Sequence, residues 1–129
     1  MVPAPAHVRV VRSAPHGEVL RGASVVVTHA GHGTVLKTLC AGVPLVCIPM
    51  GRDQHANTTR VRRLGAGVRV GKAAPASRIA AAIRDVLEEP AFTANARHAA
   101  QMLATEAATH PNAADEIEAM IGITPAPNP

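Results

Sequence analysis

Residues 24–34 read Ser-Val-Val-Val-Thr-His-Ala-Gly-His-Gly-Thr, and this stretch decides the fold. Its first half, Ser24–Thr28, is β-branched and lacks polar alternation, which is typical of a strand buried on both faces of a parallel sheet. Its second half, His29–Thr34, is a tight glycine turn, and helical sequence follows over Val35–Ala41. A buried strand that leads through a glycine turn into a helix is the repeating unit of open α/β sheets.

The remaining chain continues this alternation. Strands are predicted over His7–Arg12, Pro44–Ile48 and Val68–Val70. Helical segments are predicted at Glu18–Gly22, Asp53–Leu64, Pro75–Glu88, Pro90–Thr109 and Pro111–Ile121, with Asp53 as an N-cap and Gly42 as a C-terminal glycine. One face of the helix after Pro75 carries Ile79, Ile83, Val86 and Leu87. The predicted fold class is α/β, a Rossmann-like parallel sheet with flanking helices.

Composition indicates one compact domain. The chain has 129 residues, of which 47% are hydrophobic and 17% charged, so a packed core is expected. Phe92 is the only aromatic residue, so no Trp or Tyr can stack on a nucleobase. Cys40 and Cys47 lie in apolar surroundings without CxxC spacing, which predicts two buried thiols in a reducing compartment.

The net charge of +4 comes mainly from arginine. The one local cluster, Arg60, Arg62 and Arg63, lies at a predicted helix C-terminus, where cations suit the helix dipole. No aromatic residue or nucleic-acid module accompanies it, so a nucleic-acid partner is not expected. The N-terminus does not have the pattern of a signal peptide and no apolar run could span a bilayer, so a cytoplasmic protein is expected.

The glycine turn is the best candidate for chemistry. Gly31 and Gly33 allow a ligand to approach the backbone, and Thr34 lies where a helix begins. Free N–H groups and the dipole at a helix N-terminus form an anion site. On these residues alone, a turn that only connects a strand to a helix is an equally good interpretation. His29 and His32 have no third residue at a sensible spacing, so no metal site is expected.

Four ordered motifs carry a family resemblance: VRVVRSAPH at 8–16, VLRGASVVVTHAGHGT at 19–34, AGVPLVCIPMGRDQHAN at 41–57 and LGAGVRV at 64–70. Together they are similar to the C-terminal domain of UDP-glycosyltransferase-like enzymes, especially bacterial ones that glycosylate macrolides and other natural products. The resemblance implies most of the C-terminal, donor-binding half of a GT-B fold. It implies a partial domain over residues 1–121, and the Pro-rich residues 122–129 predict a disordered tail.

The resemblance also implies roles at matching positions. His29 would hydrogen-bond the donor diphosphate, with Gly31, Gly33 and Thr34 contacting the same phosphates. His32 could face either solvent or the acceptor.

The base and the sugar are assigned to other positions by the same resemblance. Ala14 would read the nucleobase edge through its backbone, with His16 beside it. Asp53 and Gln54 would bind hydroxyls of the donor sugar. No cofactor other than the nucleotide-sugar donor, a UDP- or TDP-sugar, is implied.

The chain departs from the family pattern at three points. Ser13 stands where relatives often have an aromatic residue that stacks on the base. Lys37 replaces a glutamate that accepts from ribose hydroxyls, which favours a thymidine donor, since its sugar lacks the 2′-hydroxyl. The acceptor domain with its general base is not represented, so no catalytic residue is assigned. The hexosyltransferase activity implied by the family would then need an N-terminal partner chain. Self-association is also expected, because a sheet edge would be left uncovered. The alternative function is that of an inactive nucleotide-sugar-binding fragment.

Overall fold

A computed structural model of the protein describes residues 3–110. Within this range three strands, β1 (Val26–Thr28), β2 (Leu45–Cys47) and β3 (Gly67–Arg69), form one parallel sheet in the order β1-β2-β3. The helices are α1 (His16–Arg21), α2 (His32–Cys40), α3 (Gln54–Arg63), α4 (Ala76–Glu88) and α5 (Pro90–Thr109). Helices α2 and α3 connect successive parallel strands, which confirms the predicted α/β class.

The central strand β2 separates two apolar clusters. Successive side chains of a strand point to opposite faces, and all three residues of β2 are buried. Leu45 and Cys47 pack with α2, α3 and α5 on one face, whereas Val46 packs with α4 on the other. The core is largely aliphatic, and Phe92 is half-buried against the α4 face.

Strand β3 lies close against β2 because residue 67 is glycine. A Cβ at Gly67 would clash with the backbone carbonyl of Leu45 and would lie 2.8 Å from Val61 Cγ1. The close approach leaves no room for a side chain, so Gly67 fixes the spacing between the sheet and α3. Two further glycines, Gly42 and Gly65, follow α2 and α3 with φ of 70° and 67°, as expected for left-handed residues after a helix.

The predicted strand over His7–Arg12 is wrong. These residues are exposed and do not lie in a strand, and Val10 is 73% exposed. A β-branched sequence forms a strand only when a neighbour supplies hydrogen bonds, and the sheet as described offers this segment no pairing. The local sequence indicates a tendency to form a strand, but it does not specify the neighbouring strand that would have to pair with this segment.

Other predictions need smaller corrections. β1 is shorter than Ser24–Thr28 and is not buried on both faces, since Val27 is 44% exposed at the sheet edge. Leu87 is 53% exposed, whereas Val86 is fully buried. Cys47 is buried as predicted, but Cys40 is exposed. The predicted helix over Pro111–Ile121 and the tail over 122–129 lie outside the described residues. No helix between residues 3 and 110 is long and apolar enough to cross a bilayer.

Candidate functional site

The carboxyl ends of β1 and β2 lie side by side. Ile48 N–H donates to the carbonyl of Thr28 at 2.8 Å, which joins the two strands where they end. The loop after β1 and the loop after β2 therefore leave the sheet at neighbouring points. Ligands of open α/β sheets bind beyond this edge, so the predicted residues on the two loops share the expected location.

The turn after β1 has a fixed, strained shape. Ala30 is completely buried and has a φ of 71°, a left-handed conformation that non-glycine residues rarely adopt. Its N–H donates to Thr28 Oγ1 at 3.2 Å. Such a conformation costs on the order of 1 kcal/mol and persists only where surrounding contacts impose it. The turn is thus built by the fold around it.

The imidazole of His29 lies over Gly31. A Cβ at Gly31 would be 2.8 Å from His29 Nε2, closer than real side-chain contacts allow. Glycine at position 31 therefore leaves the space that the imidazole occupies. His29 itself is exposed, so its ring is available at the surface of the turn.

Helix α2 begins at His32, three residues earlier than predicted, with Gly31 as its N-cap. Its first internal hydrogen bond runs from Val35 N–H to the carbonyl of Gly31 at 3.0 Å. The N–H groups of His32, Gly33 and Thr34 precede that bond and have no acceptor within the helix. This correction brings both Gly33 and Thr34 into the first turn, where donors and the helix dipole favour an anion.

Asn57 connects the two loops. Its side-chain amide nitrogen donates to the carbonyl of Ala30 at 3.0 Å and to Asp53 Oδ2 at 3.0 Å. Asn57 is only 4% exposed and its bond to Ala30 is buried, whereas its bond to Asp53 is only partly shielded from water. Asp53 occupies the N-cap position of α3, but its carboxylate accepts from Asn57 instead of capping a backbone N–H. Asp53 is consequently fixed relative to the glycine turn.

Gln54 shapes the loop after β2. Its Oε1 accepts from the N–H of Met50 at 2.7 Å and of Gly51 at 3.2 Å. The carbonyl end of the side chain is therefore bonded to the loop that precedes α3, and the amide nitrogen is the end suited to donate to a ligand hydroxyl.

Cys47, the last residue of β2, is buried in the core cluster that also contains Ala30. Burial raises the pKa of the Cys47 thiol from 9.0 to about 11, and a hydrogen bond with Thr58 offsets part of that rise. The group is a neutral thiol at ordinary pH. It belongs to the core under the turn, and its protonation favours a structural role over nucleophilic chemistry.

A second region holds the residues predicted for base and ribose. His16 and Lys37 line one shallow groove between α1 and α2, together with Leu36 and Cys40. The structure thus brings together a residue predicted to lie beside the base and the lysine at the predicted ribose-binding position. Ala14 is half-buried just before α1, and Ser13 is exposed.

Comparison with known proteins decides the family. Residues 1–123 match the family model described as erythromycin biosynthesis protein CIII-like, C-terminal domain. The chain belongs to this family. The match spans all three strands and every predicted site residue.

Relatives in natural-product biosynthesis agree with this assignment. The chain is 41% identical over 95 residues to 4'-demethylrebeccamycin synthase of Lentzea aerocolonigenes, covering 73% of this chain and 23% of that protein. It is 41% identical over 99 residues to the elloramycin glycosyltransferase of Streptomyces olivaceus, covering 77% and 25%. The solved kitacinnamycin glycotransferase superposes with a TM-score of 0.74 at 33% identity, covering 78% of this chain and 26% of that one. The chain spans about a quarter of the length of these relatives.

Two residues that shape the site, Asn57 and Ala30, were not predicted from the sequence. The Asn57–Asp53 pair has the i, i+4 spacing that places side chains together on a helix, so that contact was predictable. The bond from Asn57 to Ala30 joins residues 27 positions apart, and nothing in the local sequence indicates it. The left-handed conformation of Ala30 was also unpredictable, because alanine ordinarily avoids it.

Proposed function

We propose that this chain binds a nucleotide-diphosphate sugar at the carboxyl edge of its sheet and serves as the donor-binding part of a glycosyltransferase. The observation that carries the proposal is the turn itself. His29 lies over Gly31, the N-cap residue of α2, and the N–H groups of the first turn of that helix have no acceptor within the helix. The proposed roles are diphosphate binding by His29, Gly31, Gly33 and Thr34.

The sugar and nucleoside are proposed to extend from this point in two directions. Asp53 and Gln54 would meet the sugar hydroxyls from the start of α3. Ala14 and His16 would meet the base beside α1. The nucleotide-sugar is a substrate, and we propose no other cofactor.

Transfer requires groups beyond those assigned to this chain. A displacement at the anomeric carbon needs an acceptor hydroxyl relieved of its proton as well as a stabilised diphosphate. The described residues support the second requirement. We therefore propose that a small-molecule acceptor, in keeping with the natural-product names of the relatives, is bound with the help of a further domain or partner chain. The outer edge of β1, where Val27 is exposed, offers a surface for such an association.

Calorimetric titration with TDP tests donor binding. Substituting His29→Ala should weaken TDP binding about 10- to 100-fold, since a hydrogen bond to a charged group contributes roughly 1.5–3 kcal/mol. His98→Ala is the control, because His98 is exposed on α5. Unchanged affinity in His29→Ala would refute the assigned role.

A second measurement separates an enzyme part from a binding module. Nucleoside diphosphate release from a TDP-sugar is followed after adding a candidate acceptor-domain chain and an acceptor. Binding of TDP without release in any combination would favour the inactive nucleotide-sugar-binding fragment.

A further inference from the structure

The outer edge of β3 is open within residues 3–110, since the sheet runs β1-β2-β3 and β3 pairs only with β2. The two residues that flank β3 bond toward β2. The carbonyl of Ala66 accepts at 2.9 Å, and the N–H of Val70 donates at 2.8 Å. Backbone groups of a parallel strand alternate between its two sides, so the N–H and carbonyl groups of Gly67 and Arg69 point away from β2. An edge of this kind can pair with another extended chain.

The two faces of this edge differ in chemistry. Arg69 is in register with Cys47, which packs in the cluster with α2, α3 and α5, so the arginine side chain leaves the sheet on that face. There α3 brings Arg62 to the same groove. Val68 lies on the opposite face and packs, like Phe92, in the cluster with α4. A strand laid along β3 would therefore meet arginines on one face and apolar side chains on the other.

The groove along this edge has basic residues in its wall and no acidic ones. Its lining residues are Arg62, Gly65, Gly67, Val68, Arg69, Gly71 and Phe92, and both arginines are exposed. The acidic residues Asp85, Glu88 and Glu89 line a different pocket that shares only Phe92 with this groove. Guanidinium groups bind carboxylates in a planar, two-bonded geometry, so the groove favours an acidic ligand beside the arginines.

The combination of open backbone and arginines favours one kind of occupant. Two copies of the chain paired through this edge would bring their arginines side by side, and like charges across a strand pair are unfavourable. A nucleic acid would meet the arginines, but it does not repeat the spacing of donors and acceptors along a β-strand. An extended acidic peptide matches both features.

We propose that the outer edge of β3 binds an extended acidic segment of a partner protein as an added β-strand. Main-chain bonds with Gly67 and Arg69 would align the segment. Acidic side chains at alternate positions would pair with Arg62 and Arg69, and apolar ones between them would cover Val68 and Phe92. The surface lies across β2 from the turn after β1, so it is independent of the proposed donor site.

The test uses the full chain and a fluorescein-labelled hexapeptide in which glutamate and valine alternate. Binding is followed by fluorescence anisotropy at about 150 mM salt, where distant charges are screened. The double variant Arg62→Glu, Arg69→Glu should bind the peptide about tenfold or more weakly, because both charge-assisted contacts become repulsive. Binding by this variant equal to the parent's, or no binding by the parent, would overturn the proposal.

Arg78→Glu combined with Arg84→Glu is the matched control. It makes the same change in net charge at two exposed positions of α4 that do not line the groove. Its affinity for the peptide should stay within about threefold of the parent's. An equal loss in the control would show that overall charge explains binding, and that too would overturn the proposal. Both double variants should bind TDP as the parent does.

Peptides methylated at alternate backbone nitrogens test the strand pairing itself. A strand pairs along one of its sides, so methyl groups on one set of alternate residues block the bonds to β3, whereas those on the other set face away. One methylated peptide should bind about tenfold more weakly, and the other within about threefold of the unmodified peptide. The same affinity for both would contradict an added strand.

Three other occupants give distinct results. A single-stranded oligonucleotide that competes as well as unlabelled peptide would identify a nucleic-acid surface. A clear rise in peptide affinity after deletion of residues 111–129 would identify the chain's own acidic segment, which contains Asp115, Glu116 and Glu118. A dimer that the peptide dissociates, seen by sedimentation velocity, would identify a second copy. Each of these results would overturn the assignment to a partner's peptide.

Discussion

The turn after β1 and the segment before α1 carry the two halves of the predicted donor site, and the fold constrains them differently. Ala30 is fully buried, and its N–H and carbonyl are both engaged by side chains, Thr28 and Asn57. In contrast, residues 8–13 are exposed, and Leu20 is the only buried residue of α1. The turn predicted to bind the diphosphate is therefore held in place by buried contacts, whereas the segment predicted to meet the base has few. Preformed sites bind more tightly because less ordering accompanies binding.

The sharpest test of this contrast is Asn57→Ala. The substitution leaves the buried carbonyl of Ala30 without its partner and also removes the bond to Asp53. We expect the free energy of unfolding to fall by about 3–4 kcal/mol, measured by urea denaturation.

Asn95→Ala is a matched control for that experiment. Asn95 also donates from its side-chain amide to the carbonyl of a left-handed residue, Gly65, at 3.1 Å, but it is exposed. Its loss should cost under about 1 kcal/mol, since water can replace the bond. Equal losses in the two variants would contradict the claim that burial makes the turn rigid.

The two cysteines can be used to compare the turn after β1 with the region around α1. Cys47 lies under the turn with its pKa raised to about 11 by burial, whereas Cys40 is exposed in the groove beside His16. Because the folded pKa of Cys47 exceeds the unfolded value of 9.0, its contribution is complete below about pH 9. That contribution should decline by about 2 to 3 kcal/mol as the pH rises to 11.

Urea denaturation at pH 8.5 and 11 measures this decline, and Cys47→Ala should show less of it than Cys40→Ala. A thiol reagent at pH 8 should modify Cys40 in the native protein and spare Cys47. Rapid modification of Cys47 would show that the turn region opens easily. That result would contradict the difference in rigidity between the turn after β1 and the segment before α1.

The smallest expected effect concerns the base side. Lys37→Glu supplies an acceptor for ribose hydroxyls, so the affinity for UDP relative to TDP should rise about 3- to 10-fold, or roughly 1 kcal/mol. Lys72→Glu makes the same change in charge at an exposed position after β3. A similar rise in Lys72→Glu would mean that charge alone explains the effect, and parent binding of UDP clearly tighter than TDP would contradict a thymidine donor.

Much of the fold was predictable because its determinants are local. Pro44–Ile48 is apolar throughout, Gly42 and Gly65 follow their helices, and Pro90 begins α5 as predicted. The predicted strand over residues 7–12 failed because strand formation depends on a partner that local sequence does not specify. Cys40 was misplaced for a related reason, since its apolar neighbours do not determine which side of α2 faces the core.

For the candidate site, the positions of the motifs were predictable from the sequence, but the contacts between them were not. The glycine turn and the Asp53–Gln54 pair can be located from motifs, and the structure places them on neighbouring loops. Their connection through Asn57 depends on packing between distant residues. The roles of these residues toward a donor stay predictions until binding is measured.

The two hydrogen bonds of the Asn57 side chain have a mechanical consequence. Because one side chain is bonded to both loops, the groups predicted to meet the diphosphate and the sugar are mechanically linked. A displacement of one loop would therefore reach the other through the Asn57 side chain.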